Sequence, residues 1–166
     1  MLKPDFYYNS IFEIPYKRLY THGLRGLIYD IDNTMAGHYD MQAPEKIIRL
    51  ANELQGMGFK VALLSNNSAL RVNSFNEALG LPAAHRAAKP LTSALQTIMR
   101  QMALQKNDCA LIGDQLFTDV WCGKRAGITT VLVKPLTNHD TLSVRVKRGL
   151  ERRLLKRYLP KHVNPL

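Results

Sequence analysis

Two aspartates, Asp30 and Asp32, directly follow a short apolar run and lie two residues apart. In an extended segment alternate side chains point to the same side, so these two carboxylates should converge. Two nearby negative charges are costly unless a cation or a shared proton offsets them. The pair could therefore hold a divalent cation, or supply a carboxylate nucleophile that accepts a phosphoryl group.

Three further segments carry reactive side chains after later apolar runs: Ser65 follows one run, Lys89 precedes a proline, and Asp114 follows a glycine. Asp114 would add a third carboxylate, and such an oxygen-rich set suits Mg²⁺. Ser65 and Lys89 would offer a hydroxyl and a cation to phosphate oxygens. Each residue alone is more often a helix cap, a turn or a solvated charge than part of a site. The ordered set favours a phosphate-handling site.

The elements that must position these side chains alternate between short apolar strands and helices. The predicted strands are 27–29, 61–64, a weak one near 83–87, 110–112 and 130–133, and the predicted helices are 44–57, 69–78, 91–104 and 117–126. Near-continuous apolarity is typical of parallel strands that are covered on both faces. We therefore predict an α/β fold with a doubly wound, five-stranded, mainly parallel sheet, whose site lies beyond the carboxyl ends of the strands.

The ordered set resembles the haloacid dehalogenase (HAD) superfamily, most of whose members are phosphatases. Its DxDxT motif is matched by residues 30–34, its Ser or Thr after the next strand by Ser65, its Lys before proline by Lys89, and its GDxxxxD motif by residues 113–119. All four motifs occur in order. The resemblance implies an HAD-like Rossmannoid fold.

The likeness extends to the YqeG-type subfamily of HAD phosphatases that lack a cap domain. It covers residues 65–67, a flank at 10–14 and a segment at 150–155; residues 35–38 depart mildly from the subfamily pattern. The chain is also similar to mitochondrial and plant phosphatidylglycerophosphatases of the capless class. Only 33 positions separate Asp32 from Ser65, which leaves no room for an inserted cap. An open site of this kind suits a bulky substrate.

The resemblance implies catalytic roles for two residues. Asp30 would be the nucleophile that forms an aspartyl-phosphate, and Asp32 would be the general acid and then the general base. Mg²⁺ would be held by Asp30, the backbone carbonyl of Asp32, and Asp114.

The resemblance also implies phosphate-binding and supporting roles. Ser65 and Lys89 would bind the phosphoryl oxygens, with Asn66 as a further contact. Thr34 would cap the turn that leaves the first strand, and Asp119 would hold the loop, Lys89 or metal-bound waters in place. We expect His38 to lie at the surface or at the substrate rim rather than to be catalytic, and Trp121 and Cys122 to pack on the sheet.

The basic charge is concentrated at one end of the chain. The 166 residues carry a net charge of +10, of which residues 141–166 hold +7 and residues 1–140 only +3. We predict a single domain over 1–166, with an aromatic-rich flank at 1–24, a catalytic core at 25–140 and a basic amphipathic helix at 141–166. That helix could pack on the core, contact an anionic membrane through residues 145–161, or bind nucleic acid, which we favour less.

Two cysteines, no apolar signal segment and no long apolar run favour a cytoplasmic protein. The basic helix could add a peripheral contact at the inner face of the membrane. The leading hypothesis is a Mg²⁺-dependent phosphatase whose substrate is an anionic phospholipid, phosphatidylglycerophosphate. One alternative is an HAD phosphatase for a soluble sugar, nucleotide or protein phosphate. Another is an RNA- or ribosome-associated binding protein with a vestigial site.

Overall fold

A six-stranded parallel sheet forms the centre of the molecule. The computed structural model describes residues 2–137, so the predicted helix at 141–166 and its membrane contact at 145–161 lie outside the described residues. The strands are β1 (Phe6–Tyr8), β2 (Gly26–Tyr29), β3 (Lys60–Leu64), β4 (Ala83–Ala84), β5 (Cys109–Gly113) and β6 (Thr129–Val133). Their order across the sheet is β1-β6-β5-β2-β3-β4.

The five predicted strands are confirmed, and the N-terminal flank adds a sixth, β1. It pairs in parallel with β6, with Phe6 opposite Val131. Asp5 fixes this edge, because its carboxylate accepts hydrogen bonds of 2.8 Å from both the backbone N–H and the hydroxyl of Thr130. A three-residue strand is too short to show a period of two, so its sequence gave no signal.

Helices cover both faces of the sheet. They are α1 (Tyr16–Thr21), α2 (Glu45–Gly56), α3 (Ala69–Asn76), α4 (Ser93–Gln101) and α5 (Trp121–Ala126). Alternate strand residues feed two cores: Leu27 packs with side chains of α1, α2 and α3, whereas its neighbour Ile28 packs with those of α4 and α5. The doubly wound architecture is confirmed, and it explains why the strands are apolar on both faces.

The predicted helices exist but are shorter, and the last one begins differently. Residues 116–120 form a π-helical turn, and α5 starts only at Trp121. Cys122 is fully buried as expected, whereas the expectation for Trp121 was wrong, since 43% of it is exposed. The wider turn shifts the helical phase, which explains the difference.

The strand order places three motif-bearing segments side by side. β2 lies between β3 and β5, with Tyr29 opposite Leu63 on one side and opposite Ile112 on the other. The chain segments that follow these three strands therefore meet at one edge of the sheet, which we call the carboxyl edge.

No helix within residues 2–137 is long and apolar enough to cross a membrane.

Candidate active site

A buried lysine bridges two aspartates at the carboxyl edge. The Lys89 ammonium donates hydrogen bonds of 2.6 Å to both Asp30 Oδ1 and Asp119 Oδ1. All three side chains are at least nine-tenths buried. Asp30 directly follows β2, and its backbone N–H is tied to Ile112 of β5 at 2.9 Å. Lys89 thus holds together two aspartates that lie 59 and 30 positions away from it along the chain.

Asp119 reaches this cluster because the preceding strand ends in a glycine. Its Oδ2 accepts a 3.1 Å hydrogen bond from the backbone N–H of Gln115. A Cβ on Gly113 would lie 2.3 Å from Asp119 Cγ, which real atoms essentially never do. The glycine therefore leaves the space that the Asp119 carboxylate fills. Asp114, which directly follows Gly113, is also buried.

Asp32 is held at both carboxylate oxygens. Arg71 donates a 3.1 Å hydrogen bond to Oδ1, and the Asn67 amide donates one of 3.2 Å to Oδ2. His38 lies 3.7 Å from Oδ1 and is half exposed, which agrees with a place at the substrate rim. Asp32 is the more open of the paired aspartates, since 18% of its side chain is exposed.

Ser65 and Asn66 organise the second loop. The Ser65 hydroxyl accepts a 3.0 Å hydrogen bond from the backbone N–H of Asn67. The Asn66 amide pairs with the Lys89 backbone, accepting from its N–H at 2.7 Å and donating to its carbonyl at 3.2 Å. Asn66 thus positions Lys89 through the backbone, whereas the sequence suggested a direct phosphate contact.

A tight turn carries the first loop away from β2. Asn33 has a left-handed backbone, with φ of 63°, which asparagine tolerates better than most residues. Its backbone N–H donates to the Ala36 carbonyl at 2.7 Å, and the Thr34 hydroxyl faces Asp30 Oδ2 at 3.4 Å. Thr34 is thus placed next to Asp30, and its supporting role stays a prediction.

Burial and crowding set the charge states in the cluster. The pKa of Asp30 is raised to about 7, chiefly by burial; Lys89 acts against this rise, and the charges of Asp119 and Asp32 add to it. Burial acts to lower the pKa of Lys89, but the facing carboxylates of Asp119 and Asp30 outweigh it and raise that pKa above its usual value. The Lys89 ammonium therefore stays protonated at neutral pH.

The acidic cluster has the donor set of a magnesium site. Carboxylate oxygens of Asp30, Asp114 and Asp119 lie within 4.8 Å of one another, and all three residues are buried. Three carboxylates around the single charge of Lys89 leave an excess of negative charge, which favours a bound cation. Oxygen ligands in this number are what Mg²⁺ prefers when it also keeps waters and a phosphate. The carboxylate of Asp32 is not part of this set, and the metal-binding role of its backbone carbonyl stays a prediction.

Sequence reasoning missed Arg71. Its guanidinium is 95% buried, stacks over Phe75 at 5.1 Å and also approaches the Gly37 carbonyl at 3.4 Å. Its Nε and Nη1 atoms have no hydrogen-bond partner among residues 2–137. One signal was available: Arg71 lies one helical turn before Phe75, on the apolar stripe of α3, where a solvated arginine does not belong.

The fold and the acidic, lysine-bridged cluster define an HAD-type phosphohydrolase, and comparisons with known proteins agree. A family profile described as HAD-hydrolase-like matches residues 86–152. A solved structure of D,D-heptose 1,7-bisphosphate phosphatase from B. bronchiseptica, complexed with magnesium and phosphate, superposes with a TM-score of 0.57 at 16% identity, covering 78% of this chain and 99% of that one. That likeness concerns the fold.

Curated relatives specify the family. The chain is 40% identical to the probable phosphatase YqeG of Bacillus subtilis over 92% of its own length and 88% of that protein. It therefore belongs to the YqeG family of HAD phosphatases. It is also 27% identical to phosphatidylglycerophosphate phosphatase 1 of Arabidopsis thaliana, covering 92% of this chain but only 47% of that protein. The protein is thus a phosphatase that uses Mg²⁺.

Proposed function

We propose that this phosphatase removes the terminal phosphate of phosphatidylglycerophosphate, through an aspartyl-phosphate on Asp30, at the cytoplasmic face of the membrane. The observation that carries the chemistry is the bridge from Lys89 to Asp30 and Asp119, set beside Asp114 at the carboxyl edge. It combines a carboxylate nucleophile, a fixed cation and a candidate metal site in one buried cluster.

In the first step, an Asp30 oxygen attacks phosphorus and the bond to the substrate oxygen breaks. Asp32 donates its proton to that departing oxygen, so the alcohol leaves neutral. The two contacts from Arg71 and Asn67 keep the Asp32 carboxyl oriented for this transfer. Its partial exposure allows it to meet a substrate that arrives from solvent.

In the second step, water attacks the phosphorus of the aspartyl-phosphate. Asp32, now ionised, accepts a proton from that water, and the bond from phosphorus to Asp30 breaks. Inorganic phosphate leaves and the Asp30 carboxylate is restored. The same residue thus acts as acid and then as base.

Lys89 and Ser65 bind the phosphoryl oxygens during both steps. The Lys89 ammonium already contacts Asp30, so a phosphoryl group on Asp30 would lie within its reach. Charge-assisted hydrogen bonds of this kind favour the crowded negative charge of the transferring group. Asn66 and Asp119 keep Lys89 in place from its backbone and its ammonium, respectively.

Mg²⁺, held by Asp30, Asp114 and the Asp32 carbonyl, would supply further positive charge to the phosphoryl oxygens. The Asp119 carboxylate lies within 4.8 Å of the carboxylates of Asp30 and Asp114, so it would hold these ligands or metal-bound waters in place.

Three observations support a lipid substrate. The Arabidopsis relative is named for phosphatidylglycerophosphate. Between Asp32 and Ser65 the structure places only a loop, α2 and β3, which leaves no inserted domain between these two residues. Residues 141–166 carry a net charge of +7, which favours an anionic surface.

The test is phosphate release from phosphatidylglycerophosphate in anionic mixed micelles with Mg²⁺, beside a panel of soluble phosphomonoesters. We expect lipid turnover well above that of every soluble ester. The Asp30→Asn variant, which keeps the shape but not the nucleophile, should lose it. A soluble ester turned over faster than the lipid would overturn the substrate while keeping the mechanism.

A further inference from the structure

Exposed apolar side chains surround the candidate active site. Among residues 2–137, eight large hydrophobic side chains are exposed: Phe12 follows β1, Met57 ends α2, and the other six lie in segments that follow β2 to β6 at the carboxyl edge. We call these six the apolar rim: Tyr39, Met41, Leu70, Leu91, Trp121 and Leu136. Tyr39 and Leu70 are the most exposed, at 84% and 75%. Single exposed apolar residues are ordinary, whereas a concentration around an open site marks an interaction surface.

One half of the apolar rim is tied to the first catalytic loop. Tyr39 packs edge-on against His38, whose ring nitrogen is 3.7 Å from Asp32. Leu70 directly precedes Arg71, which also contacts Asp32. The backbone N–H of Leu136 donates to the Asn33 carbonyl at 3.0 Å.

The other half is tied to the loop that carries Lys89. Leu91 follows Lys89 by two residues, and its carbonyl accepts a 3.2 Å hydrogen bond from the Cys122 thiol. Trp121 precedes Cys122 in the chain and is 43% exposed. Arg125, one turn further along α5, donates to the Pro90 carbonyl at 3.3 Å. This half thus combines two exposed apolar side chains with an exposed cation.

Exposed cations lie near the apolar rim, together with one exposed acid, Asp40, between Tyr39 and Met41. Three exposed cations, Arg86, Arg125 and Lys134, lie in segments that follow strands at the same edge or contact them. The described chain ends at Thr137, whose hydroxyl donates to Asn33 Oδ1 at 2.6 Å. The described residues thus end at the carboxyl edge, and the sequence continues with a net charge of +7 over residues 141–166.

We infer that the apolar rim docks onto an anionic phospholipid bilayer, so that the active site faces the headgroups. This inference rests on the proposed lipid substrate and adds the surface that meets the membrane. Aromatic and aliphatic side chains enter the headgroup boundary, while the neighbouring cations attract anionic lipids. Docking in this orientation presents a headgroup phosphate to Asp30 without lifting the lipid out of the bilayer.

The chain carries its own reporter, because Trp121 is its single tryptophan. The experiment adds vesicles of phosphatidylglycerol and phosphatidylcholine to the full chain and records tryptophan emission. We expect a blue shift that saturates with lipid, and quenching by lipids brominated near the headgroup. An unchanged emission would overturn the inference, whether or not the protein sediments with the vesicles. A shift that appears without vesicles and grows with protein concentration would also overturn it, in favour of self-association.

A matched pair of variants locates the surface. Leu70→Ser combined with Leu91→Ser should weaken vesicle binding by about tenfold or more, since two apolar side chains lose their burial in lipid. Met57→Ser, a similar change at the C-terminal end of α2 and the opposite edge of the sheet, should leave binding unchanged. Both proteins should keep wild-type activity on a soluble ester, which shows that they fold. Equal binding by the two variants would overturn the inference.

The outcomes separate this inference from the proposed substrate. Vesicle binding that depends on Leu70 and Leu91, without phosphate release from the lipid, would support the docking surface and reject the substrate. Lipid turnover that is unaffected by the same double substitution would support the substrate and reject the docking surface.

Discussion

Asp119 fills the space in which a side chain on Gly113 would begin: an added Cβ would lie 2.3 Å from Asp119 Cγ and 2.5 Å from its Oδ2. The same carboxylate holds the Lys89 ammonium at 2.6 Å. The glycine of the fourth motif is therefore part of the mechanism by which Lys89 is positioned beside Asp30.

The first prediction concerns Gly113→Ala. The methyl group must displace Asp119, so we expect the free energy of unfolding to fall by about 1–3 kcal/mol and phosphatase activity to fall with it. Gly56→Ala is the matched control, since an added Cβ there meets nothing within 4 Å, and it should raise stability by about 0.5 kcal/mol. Urea unfolding and phosphate release check both variants. Full activity in Gly113→Ala would show that Asp119 can move without consequence.

The second prediction concerns Arg71 as a positioning residue for Asp32. Arg71→Leu should lower kcat by about 10- to 100-fold because Asp32 loses its orientation, with a smaller change in KM for a soluble ester. Arg71→Lys should restore only part of kcat, since an ammonium lacks the planar fork of a guanidinium. Steady-state kinetics measure this split. Arg100→Leu, an exposed arginine on α4, is the control. A rise in KM with an unchanged kcat would assign Arg71 to substrate binding instead.

The third prediction concerns metal binding in the acidic cluster. Mg²⁺ at about 100 times its Kd should stabilise the protein by about 2.7 kcal/mol, which raises Tm by several degrees. Asp114→Asn should lose this rise because it removes one negative charge from the cluster. Glu77→Gln changes an exposed acid at the C-terminal end of α3, and this variant should keep the rise in Tm. Calorimetry with and without EDTA measures the difference, and an equal rise in both variants would place the metal elsewhere.

The fourth prediction follows from the raised pKa of Asp30, about 7 in the folded protein against an ordinary value of 3.8. The unfolded chain releases this proton near pH 4, whereas the folded chain retains it until about pH 7. Stability of the metal-free protein should therefore fall as the pH rises from about 4 to about 7. Mg²⁺ binds the ionised carboxylate, so its stabilising effect should be small at pH 5 and large at pH 8.

Unfolding measured from pH 4 to pH 8 in EDTA tests this linkage. The Asp30→Asn variant cannot titrate at this position, so its stability should lack the part of the slope that Asp30 contributes. An identical slope in the variant and the wild type would mean that Asp30 is ionised throughout this range.

The chemistry was readable from the sequence because it depends on residue types at the ends of apolar runs. Asp30, Ser65, Lys89 and Asp114 each follow or flank such a run, and the carboxyl ends of parallel strands must meet at one edge. The alternation of strands and helices also predicted the doubly wound sheet. Local pattern was sufficient for these features, since each depends on hydrophobic periodicity within a few residues.

Only the tertiary structure decided how these residues contact one another. Nothing local shows that Asn66 pins the Lys89 backbone, or that Arg71 on α3 reaches Asp32 across 39 positions of sequence. Strand β1 is likewise too short to be recognised until β6 and Asp5 give it a partner. Hydrophobic periodicity determines which elements form, whereas hydrogen bonds between distant segments exist only after the chain has packed. The sequence by itself thus determined the phosphatase chemistry and the fold class, and packing decided which side chains hold the catalytic groups in place.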